Sequence, residues 1–480
     1  MRLAEGKGGT GLFSHYTDSA HRAKSGSYGK MNNRHRVSMW FLLASIGVSV
    51  GLGIPVGRSI PGGSVDLQVV YYGAKCAVQG CDPYKPSDLR KIYATEEARL
   101  PFGSIEKPER IAPNNYLPPT FLVIAPLTLL PWSAASALWL TILLASFFGA
   151  GFLLVKDGAA DAPRLSLLLG CVVLANTELG IALANTGVLV VSLCAIAVHC
   201  LLRHRFVGLG QGALVCALVL KPHDAFLLLI YFLIATRGRC MPAWKIVGVT
   251  VAITAVSLAW IARVSPHWLE EWQSNIATLT ARGGLNDPGP TGEKSHGPGQ
   301  VIDLQSAISV VRDEPRFYDS VSYGICGALL LVWGAVSVRN RFSTSGAWLS
   351  IAAVVPLTLL ITYHRPYDAK LLLLSIPACA RLWREGGARG RAAAAVTTAA
   401  IIFTADIPLL VLSHVTTGFD LSEMALWQRI WIVPIVHPAP ITLLLMALFY
   451  LWVYARAEAP QIDAARETPP GSARTAAAGV

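Results

Sequence analysis

The sequence predicts an all-α polytopic membrane protein, and three observations support that fold class. Hydrophobic residues make up 53% of the 480-residue chain, while charged residues make up only 14%. Soluble globular chains carry about 25% charged residues, so this deficit is large. Apolar segments of membrane-spanning length recur from residue 38 to residue 454, whereas a membrane barrel would show short alternating strands.

The candidate spans follow one another along the chain with short polar or proline breaks between them. Several are too short to cross about 30 Å of hydrocarbon as straight helices, so we expect a bundle of roughly 11–13 transmembrane helices. The candidate spans are residues 38–56, 119–131, 133–155, 165–183, 186–202, 207–220, 223–236, 244–263, 321–338, 346–362, 369–382, 393–413 and 430–454.

Polar segments flank this membrane core at both ends. Residues 1–37 are basic and rich in Gly and Ser, and residues 456–480 are rich in Ala, Pro and Arg. We expect a disordered cytoplasmic arm and a disordered cytoplasmic tail around a transmembrane domain at 38–455, because such compositions bury too little apolar surface to fold. The first span lacks an Ala-x-Ala cleavage site, which favours a retained signal-anchor.

The basic residues indicate how the chain is oriented in the membrane. They cluster in short loops between spans, which predicts that those loops are cytoplasmic. Two long loops at 57–118 and 264–320 and the turn at 363–368 are then extracytoplasmic. The formal net charge of +11 is therefore a topology signal and does not indicate a nucleic-acid partner.

The two long loops carry different signals. The first contains a predicted helix from about Ser64 to Val78, whose apolar residues recur at helical spacing, and we expect it to lie along the membrane surface. Cys76 and Cys81 follow, and they either pair in an oxidising environment or remain free thiols. No Cys/His ligand cluster occurs among the nine cysteines, so we expect no metal site.

The second loop contains GGLNDPGPTGEKSHGPG, which suits a mobile lid or a plain flexible loop.

Asp66 is the candidate general base. It lies just beyond the first span, and an aspartate with an ordinary pKa of about 3.9 is ionised and able to accept a proton. The alternative is an acid that stabilises the helix N-terminus through the macrodipole. We expect Tyr71 and Tyr72, on the same helix, to contact substrate, whereas Asp82 before Pro83 is typical of a turn.

The segment KPHDAF (residues 221–226) places charged groups between two apolar segments on the predicted outer side. Charged residues at membrane depth are costly and are usually paired or functional. Lys221 suits a phosphate as a point charge, with His223 as a substrate contact. An ion pair between Lys221 and Asp224 is the equally supported alternative.

The segment YHRPYD (residues 363–368) joins two further apolar segments on the same side. His364 and Arg365 together suit a phosphate or diphosphate group. The alternative for Arg365 is a side chain that snorkels to the membrane interface. Asp368 and Tyr116, the latter beside paired prolines that start a helix, are further candidate substrate contacts.

Three segments resemble glycosyltransferase family 87, the polyprenol-phosphate-mannose-dependent mannosyltransferase-like group of the GT-C superfamily. They are VDLQVVYYGAKCAVQGCDPY in the first loop, NNYLPPTFLVIAPLTLLPW at the next membrane segment and ALVLKPHDAFLLL further on. The resemblance covers residues from about 64 to 380. Two positions depart from it: Asn185-Thr186-Gly187 stands where the family often shows Gly-Gln, and Leu117 separates Tyr116 from the paired prolines.

The resemblance implies a GT-C-type bundle in the plasma membrane, with juxtamembrane helices in its first extracytoplasmic loop. It implies transfer of a sugar, with mannose expected, from a polyprenyl-phosphate donor to a glycolipid or glycan hydroxyl on the extracytoplasmic face. The matching base is Asp66. Lys221, His364 and Arg365 are the expected contacts of the donor phosphate, and no cofactor is implied.

The residues themselves agree with a lipid-borne donor. The sequence contains no P-loop, Asp-x-Asp, GxSxG or HExxH motif, and it has no polar segment large enough to bind a nucleotide sugar. Two alternatives stay open: a transporter or flippase of a lipid-linked sugar, and a scaffold with an inactive site. A transporter calls for midplane polar residues or repeated halves, and the sequence shows neither.

Overall fold

The structure is all-α over the residues that it describes. The computed structural model describes residues 38–58, 64–97, 113–235, 243–292, 301–340, 344–416 and 424–457, and these ranges contain no β-strand. The predicted fold class of an all-α polytopic membrane protein is therefore confirmed. The arm predicted at 1–37 and nearly all of the tail predicted at 456–480 lie outside the described residues.

The helices follow the predicted apolar segments, and several begin with proline, whose missing N–H costs nothing at a first helical position. The first half of the chain forms α1 (Ser38–Arg58), α2 (Val65–Val78), α3 (Pro86–Glu97), α4 (Pro118–Ile124), α5 (Trp132–Ala159), α6 (Pro163–Ala175), α7 (Glu178–Ala182), α8 (Thr186–Leu202), α9 (Val207–Leu220) and α10 (Pro222–Ala235). The second half forms α11 (Ala243–Val264), α12 (Trp268–Thr280), α13 (Leu304–Val311), α14 (Pro315–Arg339), α15 (Thr344–Ile361), α16 (Ile376–Glu385), α17 (Gly387–Phe403), α18 (Asp406–Thr416), α19 (Leu426–Val436) and α20 (Pro438–Arg456).

Fewer helices than predicted have the length of a straight membrane span. Among the described residues, 5 helices are long and apolar enough to cross a membrane, or up to 6 if the bent pair α17 and α18 forms one span. Shorter apolar helices, among them α4, α6, α8, α9 and α10, occupy other predicted spans. The prediction of 11–13 spans counted these short helices, which breaks such as Pro131 and the Lys221–Pro222 junction keep below spanning length.

The first-loop helix α2 is enclosed by protein, whereas its apolar stripe predicted a helix with one face in the membrane surface. It packs against α3, α4 and the 3₁₀ segment Ala125–Leu129. Tyr71 and Tyr72 are fully buried, as is Leu67 on the predicted apolar stripe. Periodicity did not reveal this enclosure, because residues outside the stripe, such as Gln68 and Val69, are also buried.

The segment predicted as a span at 369–382 is divided into two kinds of helix. A 3₁₀ helix covers Asp368–Ser375 and α16 follows it directly. Every residue of the 3₁₀ helix is buried, including Lys370, whose ammonium lies 3.2 Å from Asp406 Oδ1 at the start of α18. The tight 3₁₀ winding thus places a charged side chain against an internal partner.

The two long loops predicted on one side contact each other directly. The Asn275 side chain on α12 donates from Nδ2 to the backbone oxygens of Tyr84 and Asn114, at 2.9 and 3.0 Å. The Trp272 indole donates to the Asn115 oxygen at 2.9 Å. Helix α12 thereby holds the first loop at the turn near Tyr84 and at the segment that leads into α4.

Two local predictions in the first loop are resolved by the structure. Asp82 Oδ1 accepts a hydrogen bond from the Tyr84 backbone N–H at 2.9 Å, which is the turn predicted from the Asp-Pro pair. Cys76 and Cys81 form a disulfide, so the pairing alternative holds. This bridge closes the turn at the end of α2.

Replacing Asn275 by alanine is expected to destabilise the protein by about 1–3 kcal/mol, because two buried backbone oxygens lose their donor. Thr278→Ala on the exposed face of the same helix is the matched control, since its hydroxyl bonds only to its own helix. Thermal unfolding in detergent or nanodiscs measures both. Equal shifts in the two variants would contradict the role of Asn275 in joining the loops.

Candidate active site

Four chain breaks meet at one end of the bundle and build a polar cluster. They are the start of α2, the α7–α8 connection, the α9–α10 junction and the turn at 362–367. Hydrogen bonds from Asn185 to Asp66 and between Asp224 and His364 join them in pairs, and a Lys221–Asp368 ion pair adds a third link. The cluster thus combines carboxylates from the first turns of helices with polar groups from the connecting segments.

Asp66 lies in the first turn of α2 with its side chain partly exposed. Its Oδ2 accepts a hydrogen bond from Asn185 Nδ2 at 2.5 Å. Burial raises the pKa of Asp66 above its ordinary 3.8, while the Asn185 hydrogen bond and the positive charges of Arg365 and Lys221 lower it in part. A carboxylate that is partly exposed and near cations is able to receive a proton from a bound molecule.

Lys221 contacts two carboxylates of the cluster. It ends α9, its side chain is 14% exposed, and its ammonium is paired with Asp368. The same nitrogen lies 3.4 Å from Asp224 Oδ2, so the predicted Lys221–Asp224 pair is present together with a second partner. Both carboxylates are fully buried, and this one cation contacts the two of them.

His364 is fully buried and hydrogen-bonded through both ring nitrogens. Nδ1 lies 2.8 Å from the Thr362 backbone oxygen, and Nε2 lies 2.8 Å from Asp224 Oδ1. Both partners are acceptors, so each ring nitrogen donates a proton and the ring is an imidazolium. Burial alone lowers the pKa of His364, but the hydrogen bond and charge of Asp224 outweigh it and raise that pKa.

Arg365 bonds inside the protein and does not snorkel outward, since only 8% of it is exposed. Its Nε donates to the Tyr363 hydroxyl, and its Nη2 donates to the Leu285 backbone oxygen at 3.0 Å. Its backbone N–H donates to Asp368 Oδ2 at 3.1 Å. Arg365 therefore ties the second long loop to the turn and to the Lys221 pair.

The cluster is close to electrically balanced. Lys221, His364 and Arg365 carry positive charge, while Asp66, Asp224 and Asp368 carry negative charge. Buried charges are tolerated when each has a partner and its hydrogen bonds. The His223 ring, whose side chain is 40% exposed, lies 5.1 Å from the His364 ring and forms an accessible edge of this cluster.

The predicted tyrosines have different positions. Tyr116 is half-buried near Asp66, and burial followed by the Asp66 charge raises the pKa of its hydroxyl. Tyr71 and Tyr72 lie in an aromatic cluster with Trp132, and the Tyr71 hydroxyl donates to the Leu130 oxygen at 2.7 Å. Both rings are fully buried and support α2 in this structure, and their contact with substrate stays a prediction.

Sequence reasoning missed the partner of Asp66. Asn185 is the N-cap of α8, and its Oδ1 accepts a hydrogen bond from the Gly187 N–H at 2.6 Å. A Cβ on Gly187 would meet the Asp368 carboxylate, Asn185 Oδ1 and, at 3.3 Å, Lys221 Nζ. The available signal was an Asn two residues before a Gly at a helix start, which by itself predicts a cap and nothing more.

One group of side chains in the described part of the chain has the spacing of metal ligands. The donor atoms of His223, Asp224 and His364 all lie within 4.8 Å of one another. Lys221 already supplies a positive charge 3.4 Å from Asp224, and both His364 nitrogens are hydrogen-bonded. This arrangement favours an internal charge network over a metal site.

The helical fold and the charge cluster define a multi-pass membrane protein with a polar site at one bundle end. Residues 115–294 match the model of glycosyltransferase family 87. The match covers less than half of the chain, and it agrees with the predicted resemblance to that family. Tyr116 and the 221–224 segment lie inside the matched range, whereas Asp66 and the 362–367 turn lie outside it. No curated protein and no solved structure gives a significant match.

Lys221→Met is expected to destabilise the protein by about 3–5 kcal/mol, because it leaves buried Asp368 without its cation and Asp224 with His364 alone. Lys91→Met is the matched control: that ammonium pairs with Asp88 at the surface, where such a pair contributes at most about 1 kcal/mol. Thermal unfolding of the purified variants measures both. A Lys221→Met variant as stable as Lys91→Met would show that the cluster does not hold the fold together.

Proposed function

We propose that this glycosyltransferase moves a sugar, mannose as expected from the family, from a polyprenyl-phosphate donor to an acceptor hydroxyl on a glycolipid or glycan. The observation that carries the proposal is the position of Asp66, a partly exposed carboxylate beside a cluster that holds Lys221, His364 and Arg365. Such a site offers a proton acceptor and positive charge to the same bound molecule.

The proposed reaction follows from these two parts. The acceptor hydroxyl oxygen attacks the anomeric carbon while the bond from that carbon to the phosphate oxygen breaks, and its proton passes to Asp66. Attack from the face opposite the leaving phosphate inverts the anomeric configuration. Lys221, His364 and Arg365 stabilise the negative charge of the departing polyprenyl phosphate.

A phosphate leaving group explains why one carboxylate suffices as the acid–base residue. Glycosidases need a second carboxyl group to protonate a poor leaving oxygen. A polyprenyl phosphate leaves as an anion and is stabilised by cations, which the cluster provides. Asp224 and Asp368 are fully buried and paired, so their role in the proposal is to hold the cations in place.

The proposed location of the reaction is the extracytoplasmic face of the plasma membrane. Support comes from the basic loops, which favour that face for both long loops and for the 363–368 turn. The structure brings these segments into contact, since Leu285 binds Arg365 and Asn275 binds the first loop. A transporter receives no such support, because the cluster gathers at helix ends and not along a path through the bundle.

Asp66→Asn is expected to lower sugar transfer by about 10²–10⁴-fold, because an amide cannot accept the acceptor proton. Transfer of radiolabelled mannose from polyprenyl-phosphate mannose by the variant in proteoliposomes measures this. Asp82→Asn, in the nearby turn, is the matched control and should retain activity. Full activity of Asp66→Asn would remove Asp66 from the mechanism, and lipid movement without transfer in the native protein would favour the flippase.

The pH dependence of transfer should show an acid limb at a higher pH than an exposed aspartate gives. The base must be deprotonated, and burial raises the pKa of Asp66 above 3.8. Activity is therefore complete above that raised pKa and is lost as pH falls through it. The pH profile of kcat/KM measures the limb, and activity that persists to pH 3.8 would contradict the proposed base.

A further inference from the structure

The chain turns sharply just before α8, and the turn is fixed from both sides. Ala184 has a left-handed backbone with φ of 51° and is 1% exposed. Non-glycine residues rarely adopt this conformation, so surrounding contacts must hold it. The Trp139 indole donates to the Ala184 oxygen at 3.0 Å, and the Ala184 N–H donates to the Ile181 oxygen at 3.0 Å.

The turn directs the next side chain, Asn185, toward the start of α2. The backbone N–H of Asn185 donates to the Gly180 oxygen at 3.0 Å, and its side chain is buried. The start of α2 is attached to the same connection, because the Ser64 N–H donates to the Ala182 oxygen at 3.3 Å. The carboxylate of Asp66 and the amide of Asn185 therefore belong to one fixed unit.

The two ends of the Asn185 amide have different partners, and this settles its orientation. Its oxygen accepts from the Gly187 N–H at 2.6 Å, and its nitrogen donates to Asp66 Oδ2 at 2.5 Å. A backbone N–H only donates and an ionised carboxylate only accepts. Rotating the amide by half a turn would lose both bonds.

We propose that Asn185 is the positioning residue of the general base: it holds Asp66 Oδ2 so that Oδ1 faces the acceptor hydroxyl. The inference rests on the proposed function of Asp66. Asn185 itself touches neither donor nor acceptor and acts through the carboxylate that it orients. The geometry gives an amide two tasks, a helix cap through its oxygen and a hydrogen-bond donor through its nitrogen.

These two tasks are separable by mutation. In Asn185→Asp, a carboxylate oxygen still caps α8, because aspartate is as good an N-cap as asparagine. The donor to Asp66 is lost, and two carboxylates then face each other. In Asn185→Ala, both the cap and the donor are lost. A residue with only a structural role would tolerate the first change and suffer from the second.

The test compares these two variants with the native protein in nanodiscs. We expect Asn185→Asp to retain the cap of α8 and to lose about 100-fold in kcat with little change in donor KM, since a misplaced base can cost that much. We expect its acid limb to move to higher pH, because a like charge and a lost donor both disfavour ionised Asp66. We expect Asn185→Ala to lose activity and stability together.

A second readout needs no substrate. The pH dependence of carbodiimide modification of Asp66, followed by peptide mass spectrometry, reports its protonation directly. Its midpoint should rise in Asn185→Asp relative to the native protein. An unchanged midpoint, or a fully active Asn185→Asp enzyme, overturns the positioning role. If the native protein transfers no sugar from the polyprenyl-phosphate donor, the proposed function fails, while the modification midpoint still decides whether Asn185 controls Asp66.

Discussion

The ion pairs of Lys221 are the constraint on which the rest of this site depends. One ammonium, at the end of α9, is paired with Asp368 and lies 3.4 Å from Asp224. Both carboxylates are fully buried, and an isolated charge there would cost several kcal/mol. Because Asp224 also binds His364 and Asp368 also binds the Arg365 N–H, every cation of the cluster is positioned through these two acids.

The short helices of the bundle are a consequence of this arrangement. A straight membrane-spanning helix forms all of its own backbone hydrogen bonds and leaves no backbone polar group free at membrane depth. A break in a helix frees such groups, and it is tolerated there only where surrounding protein covers it. The breaks at Asn185, Lys221 and 362–367 lie together and are lined by their own side-chain partners. In the described part of the chain, those breaks leave several apolar helices shorter than a full span, and they also create the site.

Local patterns in the sequence were enough to predict several features, and residues distant in sequence decided the others. The Asp82 turn and the Lys221–Asp224 contact involve neighbours within 3 residues, so spacing revealed both. Asn185 lies 119 residues from Asp66, and Lys221 lies 147 residues from Asp368, so no local pattern predicts either contact. Periodicity also could not show that the neighbouring helices cover α2 on several faces, including those of Tyr71 and Tyr72.

The central claim is that the cationic cluster holds a lipid phosphate beside the carboxylate that acts as the base. The most direct test is a cryo-EM structure of the Asp66→Asn protein in nanodiscs with polyprenyl-phosphate mannose. We expect phosphate density within hydrogen-bonding distance of Lys221 or Arg365, with His364 contributing charge from behind Asp224 and the anomeric carbon facing residue 66. Phosphate bound at another place in the bundle, with this cluster unchanged and unoccupied, would contradict it.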